Sequence, residues 1–456
     1  MGRDMASHSM VAGIATRLDE RPIGARQIWV LALVQLILMI DGLDIQLLGL
    51  VTPVVLEEWA VPRANFGPAL GASLIGLAIG AGAGGRLGDM FGRKRVLCVA
   101  TFLFGIATVV AAFTNSVTEM TIIRFISGLG FGAATPASIA LVTEWLPRRA
   151  QAKAIAFLSV GTPLGGLVGS LALQSLLPAL GWRGCFILCG VLTLAVAVIV
   201  LVGLPESAAY LASRGKTRRA SALLRSHAGV EVGEHEFGAS ATAMQAAGDA
   251  PRDTIVARRY LRLNIGGWML FFSAQFIAYA FLNWAPTFLT MAQFPLQQAL
   301  QASFAFNLLA VTAAIITGFL VHRFGSRRVG LVAGVLTGIS VVILALRLHG
   351  ATEIPSETTY WIVMLAIAGV GIFVSTVIAM GYSLLTLSYS EQIRSTGIGV
   401  GLMIGRTGGV VIGLVGGVLL SLAGDQTWPF FLVLLGLTVM ILAGVLIADR
   451  HIAPAQ

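Results

Sequence analysis

Apolar runs long enough to cross a lipid bilayer recur along this chain and constrain its fold more than any other feature. A membrane-spanning helix needs about 20 predominantly apolar residues. The composition agrees, because 57% of the residues are hydrophobic and only 11% are charged, against about 25% in soluble domains. We predict an all-α membrane protein with twelve transmembrane helices, at 28–52, 66–85, 96–113, 119–143, 154–175, 184–204, 263–290, 298–321, 329–346, 358–386, 395–421 and 427–448.

The positive charge predicts the orientation of these spans. The net charge is +9, and most of the 30 Lys and Arg residues fall in the tails and the even-numbered loops, whereas Arg63, Arg183 and Arg347 fall in odd-numbered loops. Loops rich in Lys and Arg stay in the cytoplasm, so both termini are expected there. The basic balance therefore indicates topology, not nucleic-acid binding. The first 26 residues lack an apolar core, so we expect no removable signal peptide.

The two halves of the chain repeat each other. The stretch GRLGDMFGRKRV, from Gly85 to Val96, aligns with GFLVHRFGSRRV, from Gly318 to Val329, and both follow the second span of a half. Such repeats predict two pseudo-symmetric six-helix bundles with a binding site near the middle of the membrane between them. The expected organisation is a cytoplasmic tail (1–27), a bundle (28–204), a cytoplasmic connector (205–262), a second bundle (263–448) and a tail (449–456).

Two carboxylates interrupt the first span. Asp41 lies near its middle and Asp44 follows three residues later, so both lie on one helix face, about 4.5 Å apart along the axis. A charge at this depth costs about 2.5–3.5 kcal/mol, which favours a functional role over a hydrogen bond to a neighbouring helix. Two like charges so close together in a low dielectric oppose full ionisation of both. We therefore predict that Asp41 and Asp44 take up and release protons.

Two arginines also lie within spans. Arg406 lies in the middle of span 11, where a permanently charged guanidinium needs an anion. A substrate carboxylate would bind it through two hydrogen bonds; the alternative is a structural pair with Asp41 or Asp44. Arg124 lies nearer the outer end of span 4. We predict that it also binds substrate, and the alternative is that it extends outward to the membrane surface.

Span 7 carries a polar line at intervals of four residues, namely Gln275, Tyr279 and Asn283, with Trp284 beside it. Residues four apart share a helix face, so this line predicts a cavity wall that stacks an aromatic ring and binds its hydroxyl groups. Helix packing and an interfacial aromatic belt are the alternative for each member. Asn307 in span 8 has the same two interpretations.

The loop GRLGDMFGRKR resembles the loop signature of the major facilitator superfamily. The resemblance implies that fold, with conformational gates at the cytoplasmic loops. Two positions depart from the signature, because Met90 replaces a usual basic residue and His322 stands where the second copy often has an acid. The second gate is therefore expected to be weaker or differently charged. The predicted gating residues are Gly85, Asp89, Gly92, Arg93, Glu144 and Arg394.

Further stretches resemble one branch, the aromatic acid:proton symporters. They are Asp-Gly-x-Asp in span 1, RFISGLGFGAATP in span 4, LPESAAYL after span 6, NWAPTFL in span 7 and QIRSTGIGVGLMIGRTGG in span 11. The resemblance covers nearly the whole chain and implies a carrier of hydroxylated aromatic acids. The motif GTPLGG in span 5 is also similar to drug antiporters and does not separate the two classes.

These observations predict a proton-coupled secondary transporter that imports an aromatic carboxylic acid by alternating access. The alternatives are an aliphatic organic acid importer, a drug:proton antiporter, or a membrane receptor that transports nothing. The sequence contains no phosphate-binding Gly-x-x-x-x-Gly-Lys loop and no His-Glu-x-x-His zinc pair, so we expect no enzyme, no cofactor and no metal site. The expected partners are the acid, protons and membrane lipid, without nucleic acid. We expect a monomer in the bacterial inner membrane.

Overall fold

The structure is a computed structural model that describes residues 21–230, 255, 257–350, 354–390, 393–424 and 426–453. All regular structure in these residues is helical, which confirms the all-α prediction. A 3₁₀ turn covers Arg258–Tyr260. The α-helices are α1 Ala25–Trp59, α2 Arg63–Phe91, α3 Arg93–Ala111, α4 Val117–Trp145, α5 Arg148–Ser159, α6 Gly161–Gly203, α7 Ala208–Ser213, α8 Thr217–Ala228, α9 Leu261–Met291, α10 Leu296–Phe324, α11 Ser326–Leu348, α12 Glu357–Ser388, α13 Arg394–Ser421 and α14 Trp428–Ile447.

Eleven helical stretches in the described part of the chain are long and apolar enough to cross a membrane. One of them, Arg149–Gly203, has 55 residues, more than twice what a single crossing needs. Gly181 inside it has φ 66° and ψ 173°, a conformation that essentially only glycine adopts. It interrupts α6, so this stretch supplies two spans. The described chain therefore has the twelve predicted spans.

Helix ends follow from local sequence. Ser116 precedes α4, and its hydroxyl accepts a hydrogen bond from the Glu119 backbone N–H at 3.2 Å. Such a cap satisfies one of the N–H groups that the first helical turn leaves unpaired. Gly92 separates α2 from α3 with φ 102°, and Gly325 separates α10 from α11 with φ 80°. Glycine adopts positive φ without the steric cost of a side chain, which explains its place in both copies of the repeated loop.

Small residues bring helices of the first half into backbone contact. A Cβ atom on Gly128 of α4 would overlap the Ser73 carbonyl oxygen of α2, and one on Gly76 of α2 would overlap the Phe125 carbonyl oxygen of α4. Apolar side chains give no hydrophobic driving force between helices in lipid, so close van der Waals packing has to hold them. Glycines at these contact points allow the two backbones to approach this closely.

The two halves meet through three helix pairs, α1 with α9, α2 with α13 and α6 with α10. We call the side of the molecule where α1 begins and α14 ends the terminal face, and the other side the distal face. Gly49 of α1 contacts the backbone of Asn283, Gly67 of α2 contacts Leu414, and Gly413 of α13 contacts Gly71. These contacts lie in the distal part of each helix, so the seam between the halves closes the distal side.

The apolar core has the same asymmetry. One cluster joins distal residues of the first half, such as Leu47, Val51 and Phe66, to α9 and the rest of the second half. A second cluster, around Val34 and Trp145, contains residues of the first half and of the connector, near the terminal face, and none of the second half. The halves thus share a core on the distal side and have separate cores on the terminal side. Side chains between the halves, such as Tyr279, Tyr382 and Arg406, also keep accessible surface within their spans. We infer from both observations a cavity between the halves that opens to the terminal face.

A crevice of about 760 Å³ follows the seam at the distal face. Pro53 and Glu57 of α1 line one wall, and Thr287 of α9 lines the other. The crevice and the cavity are therefore separated by the packed part of the seam.

Candidate functional site

The two acids of α1 are buried but face different neighbours. Asp41 is 2% exposed and Asp44 is 5% exposed. Asp44 points into the first half, toward α3 and α4. Asp41 has neither a hydrogen bond nor an ion pair among the described residues, and it interacts electrostatically with Arg406 of the other half and with Asp44. The predicted pair is thus divided into a paired acid and an unpaired acid.

Arg124 is the partner of Asp44. Its two terminal nitrogens lie 3.1 and 3.2 Å from the two carboxylate oxygens, which is a bidentate pair. Thr108 donates a further hydrogen bond to Asp44 at 2.6 Å, and Ser127 donates one at 3.3 Å. Arg124 is only 1% exposed, and its guanidinium lies 5.2 Å from the ring centre of Phe186. The alternative that Arg124 extends to the membrane surface is therefore wrong, because a buried carboxylate holds it inside.

Arg406 lies between the halves with no such partner. Its side chain is half-buried, it makes no hydrogen bond to any described residue, and no described carboxylate lies within 4.0 Å of it. Asp41, Tyr279 and Tyr382 all lie within its electrostatic range. The sequence left two interpretations of Arg406, a substrate ligand or a structural pair with Asp41 or Asp44. In this conformation Arg406 forms no ion pair with either acid. The guanidinium is available to an anion in the cavity.

The polar line on α9 divides along its length. Gln275 and Tyr279 are half-buried and pack against Gly405 and Gly409, which flank Arg406 on α13. Asn283 lies further along in the seam, 3% exposed, and its Nδ2 atom has no hydrogen-bond partner. Trp284 is fully buried and donates a hydrogen bond from Nε1 to the Ile412 carbonyl at 3.1 Å. The structure brings the first two residues to the cavity and places the other two in the packed seam.

Asn307 of α10 is also in the seam, where it bonds to a residue that the sequence analysis missed. Its Nδ2 donates to Gln46 Oε1 at 2.9 Å, and Gln46 Nε2 donates to Asn307 Oδ1 at 3.1 Å. The signal for Gln46 was present, since it is a polar residue five positions after Asp41 in the same apolar span.

Three further residues of the site were missed. Thr108 and Ser127 complete the hydrogen bonds of Asp44, and Tyr382 of α12 is 38% exposed although it lies in a membrane span. Its ring packs edge to face on Phe271 with centroids 5.3 Å apart. Single hydroxyl groups in apolar helices give little signal in a sequence, because Ser and Thr also bond to their own helix backbone.

Most of the predicted gating residues form one network at the terminal face. Arg93 pairs with Glu144 and lies 3.5 Å from Asp89. A carboxylate from the exit of α6, Glu206, accepts a hydrogen bond from the Lys94 backbone N–H at 3.0 Å. Its negative charge lies at the N-terminus of α3, where the helix dipole favours it. A Cβ on Gly92 would approach Glu206 to 2.6 Å, so glycine makes room for this cap.

The remaining two gating predictions lie outside this network. A Cβ on Gly85 would meet only open space, so no helix contact depends on it here. Arg394 begins α13, and its side chain lies outside the described residues.

The second copy of the loop is held differently, by the C-terminal segment. The Ser326 backbone N–H donates to the Ile452 carbonyl at 3.0 Å, and the Ile452 N–H donates back to the Ser326 hydroxyl at 2.9 Å. Arg450 donates to the Ser388 carbonyl at 3.1 Å. Among the described residues, backbone and hydroxyl groups thus hold the second copy, whereas an acid–arginine pair holds the first.

Chemically, the cavity offers a free guanidinium, an unpaired carboxylic acid and aromatic side chains between two repeated helical bundles. No group of three or more His, Cys, Asp or Glu side chains in the described residues is placed to hold a metal ion. The fold and this arrangement are those of a membrane transporter.

The sequence matches the Major Facilitator Superfamily over residues 34–350 and 293–455, and the protein belongs to that family. It is 30% identical to the gallate transporter of Pseudomonas putida over 95% of this chain and 94% of that protein. It is also 30% identical to the 4-hydroxybenzoate transporter PcaK of Pseudomonas aeruginosa, over 86% of each chain. The fold matches the inward-open xylose transporter XylE from E. coli with a TM-score of 0.73 at 17% identity, covering 93% of this chain and 96% of that one. The resemblance inferred from the motifs is confirmed.

Proposed function

We propose that the protein imports an aromatic carboxylic acid together with protons by alternating access. The free Arg406 guanidinium in the cavity carries this proposal, because a permanent cation at that depth needs an anion. A carboxylate satisfies it with two parallel hydrogen bonds. The gallate and 4-hydroxybenzoate transporters to which the chain is similar support an aromatic acid as that anion.

Asp41 is the proposed proton carrier. When ionised, it competes with a substrate carboxylate for Arg406, with which it interacts electrostatically. Protonation removes the competing charge, so a proton and an anionic substrate load together. Release of the proton returns the negative charge and expels the substrate carboxylate. This exchange couples the two cargoes without requiring any contact between them.

Asp44 and Arg124 have a supporting role in the proposal. Arg124 and two hydroxyl groups hold the Asp44 carboxylate with four hydrogen bonds, so it already has its partners. We therefore assign the mobile proton to Asp41 and treat the Asp44–Arg124 pair as its fixed electrostatic surroundings. Arg124 then acts on substrate indirectly.

Aromatic and polar side chains shape the proposed site around the ring of the substrate. Tyr279 and Tyr382 both lie within electrostatic range of Arg406, and Gln275 lies one turn before Tyr279. Tyrosine offers a flat apolar surface and a hydroxyl group, which suits an aromatic acid better than an aliphatic one. Trp284 already bonds to Ile412, so in this conformation it supports the seam.

Transport would proceed by rocking of the two bundles, 28–204 and 263–448, about the central site. Because Lys and Arg concentrate at the terminal face, we assign that face to the cytoplasm and this conformation to the inward-facing state. Opening to the outside requires the distal seam to separate while the terminal side closes. The Arg93–Glu144–Glu206 network is the proposed cytoplasmic gate. We expect a monomer in the bacterial inner membrane.

The test is counterflow and gradient-driven uptake in proteoliposomes of the purified protein. We expect labelled 4-hydroxybenzoate to accumulate when the outside is acidic and to stop accumulating when a protonophore is added. Asp41→Asn should retain counterflow, which needs no net proton movement, but lose accumulation. Arg406→Gln should lose both, and the exposed Arg347→Gln and Asp449→Asn serve as controls for loss of charge.

Other outcomes point to the other candidates. Counterflow of aliphatic acids but not of aromatic acids would indicate an organic acid importer, and counterflow of lipophilic cations would indicate a drug antiporter. Binding of 4-hydroxybenzoate without counterflow would indicate a receptor. Accumulation that persists in Asp41→Asn would refute the assignment of the proton.

A further inference from the structure

A reciprocal amide pair joins the two halves within the seam. Gln46 of α1 and Asn307 of α10 each donate one hydrogen bond to the other, at 3.1 and 2.9 Å. Gln46 is 3% exposed and Asn307 is 2% exposed. Asn307 also donates to the Ser303 carbonyl at 2.9 Å, which fixes its orientation. Both amides are thus buried, oriented and satisfied, but only while the halves touch.

A glycine makes this pair possible. Gly166 of α6 lies beside the Gln46 side chain, and a Cβ atom on it would overlap the Gln46 amide nitrogen. Gly42 of α1 and Gly165 of α6 bring these two helices into backbone contact in the same way. The glycines of the GTPLGG motif therefore leave the space through which the Gln46 side chain passes α6 and reaches the second half.

The pair lies between the charged site and the distal crevice. Gln46 follows Asp41 by five residues, which places it about 7.5 Å further along the helix axis toward the distal face. Gly49, three residues on, already contacts Asn283 in the closed seam. The separation between the Asp41 level and the amides resembles the length of a benzene ring with a substituent at each end. A carboxylate held at Arg406, which interacts electrostatically with Asp41, would therefore place the far end of its ring at the level of Gln46 and Asn307.

Opening of the distal side must break this pair. Each amide then turns an unpaired carbonyl and an unpaired N–H to water. A bound ring that excludes this water without replacing its hydrogen bonds leaves buried polar groups unsatisfied, which is costly. A ring hydroxyl can donate to one carbonyl and accept from the other amide, so it replaces the lost bonds. A ring that carries only hydrogen at this position leaves the amides unpaired. Sites built this way discriminate strongly against analogues that lack the hydroxyl.

We propose that Gln46 and Asn307 are specificity-determining residues that select ring-hydroxylated aromatic acids over unhydroxylated ones. The inference rests on the proposed function, since it assigns the part of the site that reads the ring after Arg406 has bound the carboxylate. If the amide pair only held the two halves together, its loss would change the transport of every substrate to the same extent. A pair that reads the ring changes the transport of hydroxylated substrates more.

The experiment compares 4-hydroxybenzoate with benzoate in proteoliposome uptake. The double variant Gln46→Met/Asn307→Leu replaces both amides by apolar groups of similar size, which avoids leaving either one unpaired. Gln174→Met on α6 is the matched control, because its amide bonds only within its own helix, to the Ser170 carbonyl at 3.3 Å. We expect the ratio of kcat/KM for 4-hydroxybenzoate over benzoate to fall at least about tenfold in the double variant and to stay unchanged in the control.

Equal changes in kcat/KM for both substrates in the double variant would overturn the inference. They would show that the amide pair only holds the two halves together. An unchanged ratio, or a wild-type protein that does not prefer 4-hydroxybenzoate, would also overturn the inference. Uptake of neither acid by the wild-type protein would refute the proposed function together with the inference. Uptake of both acids with the same ratio in the variant would refute the inference alone.

Discussion

The buried pair between Asp44 and Arg124 offers a quantitative test of how charges are held inside this protein. Arg124→Gln leaves the Asp44 carboxylate 5% exposed, with hydrogen bonds only from Thr108 and Ser127. Asp44→Asn leaves the Arg124 guanidinium 1% exposed, with no other ion pair among the described residues. Each single variant therefore retains an uncompensated buried charge.

The expected cost of each single substitution is large. Breaking a buried ion pair by removing one partner lowers the free energy of unfolding by about 3–5 kcal/mol. Both charges disappear in the double variant Asp44→Asn/Arg124→Gln, and the two amides can still bond to each other. Since replacing both partners of a buried pair is often close to neutral, we expect the double variant to be more stable than either single variant.

The measurement is a double-mutant cycle on the purified protein in mixed micelles, with unfolding followed by denaturant titration. Coupling between contacting charges is expected in the range of about 0.5–3 kcal/mol or above. Additive losses, with a coupling below about 0.5 kcal/mol, would refute the reasoning, because they would show that the two side chains do not depend on each other. Asp449→Asn/Arg347→Gln, at two exposed positions, is the control pair and should be additive.

Three further predictions concern other parts of the molecule. Burial lowers the pKa of His227 in α8, next to Trp145. The unfolded chain therefore binds this proton first, so stability falls as the pH drops below about 6.5. The protection factors of the α8 amides, that is, their exchange rates relative to an unfolded peptide at the same pH, should fall there in the wild type but not in His227→Gln. Gly128→Ala places a Cβ on a backbone oxygen of α2 and should lower the folded yield in size-exclusion chromatography, whereas Gly82→Ala, with open space around it, should not. Arg93→Gln leaves the Glu144 carboxylate without its cation and should lower the free energy of unfolding by about 1–3 kcal/mol; an unchanged value would show that the pair contributes nothing to stability.

The repeat and the number of spans could be predicted because each follows from local information. Length and apolarity determine what crosses a membrane, and the loops around Gly92 and Gly325 are similar enough to align. Length and apolarity alone do not divide the stretch Arg149–Gly203 into two spans. The division depends on the backbone conformation of Gly181, which only the structure shows.

The division of the site could not be predicted in the same way. Asp41 and Asp44 are three residues apart in sequence, yet one meets Arg124, 80 residues further on, and the other faces Arg406 in the second half. Helical periodicity places both acids on one face but does not say which neighbour each of them meets. The same limit applies to Asn307, whose partner Gln46 is 261 residues away.

By itself, the sequence determined that the chain crosses the membrane twelve times, that its halves repeat, and that charged groups lie inside. These properties depend on the cost of placing polar and charged groups in lipid. That cost is set by the residue type alone and needs no tertiary contact. Only the tertiary structure decided which acid is paired, that Arg406 is free, and that the halves close at the distal face through Gln46 and Asn307. Those outcomes depend on packing between helices distant in sequence, where one glycine such as Gly166 decides whether a side chain reaches its partner.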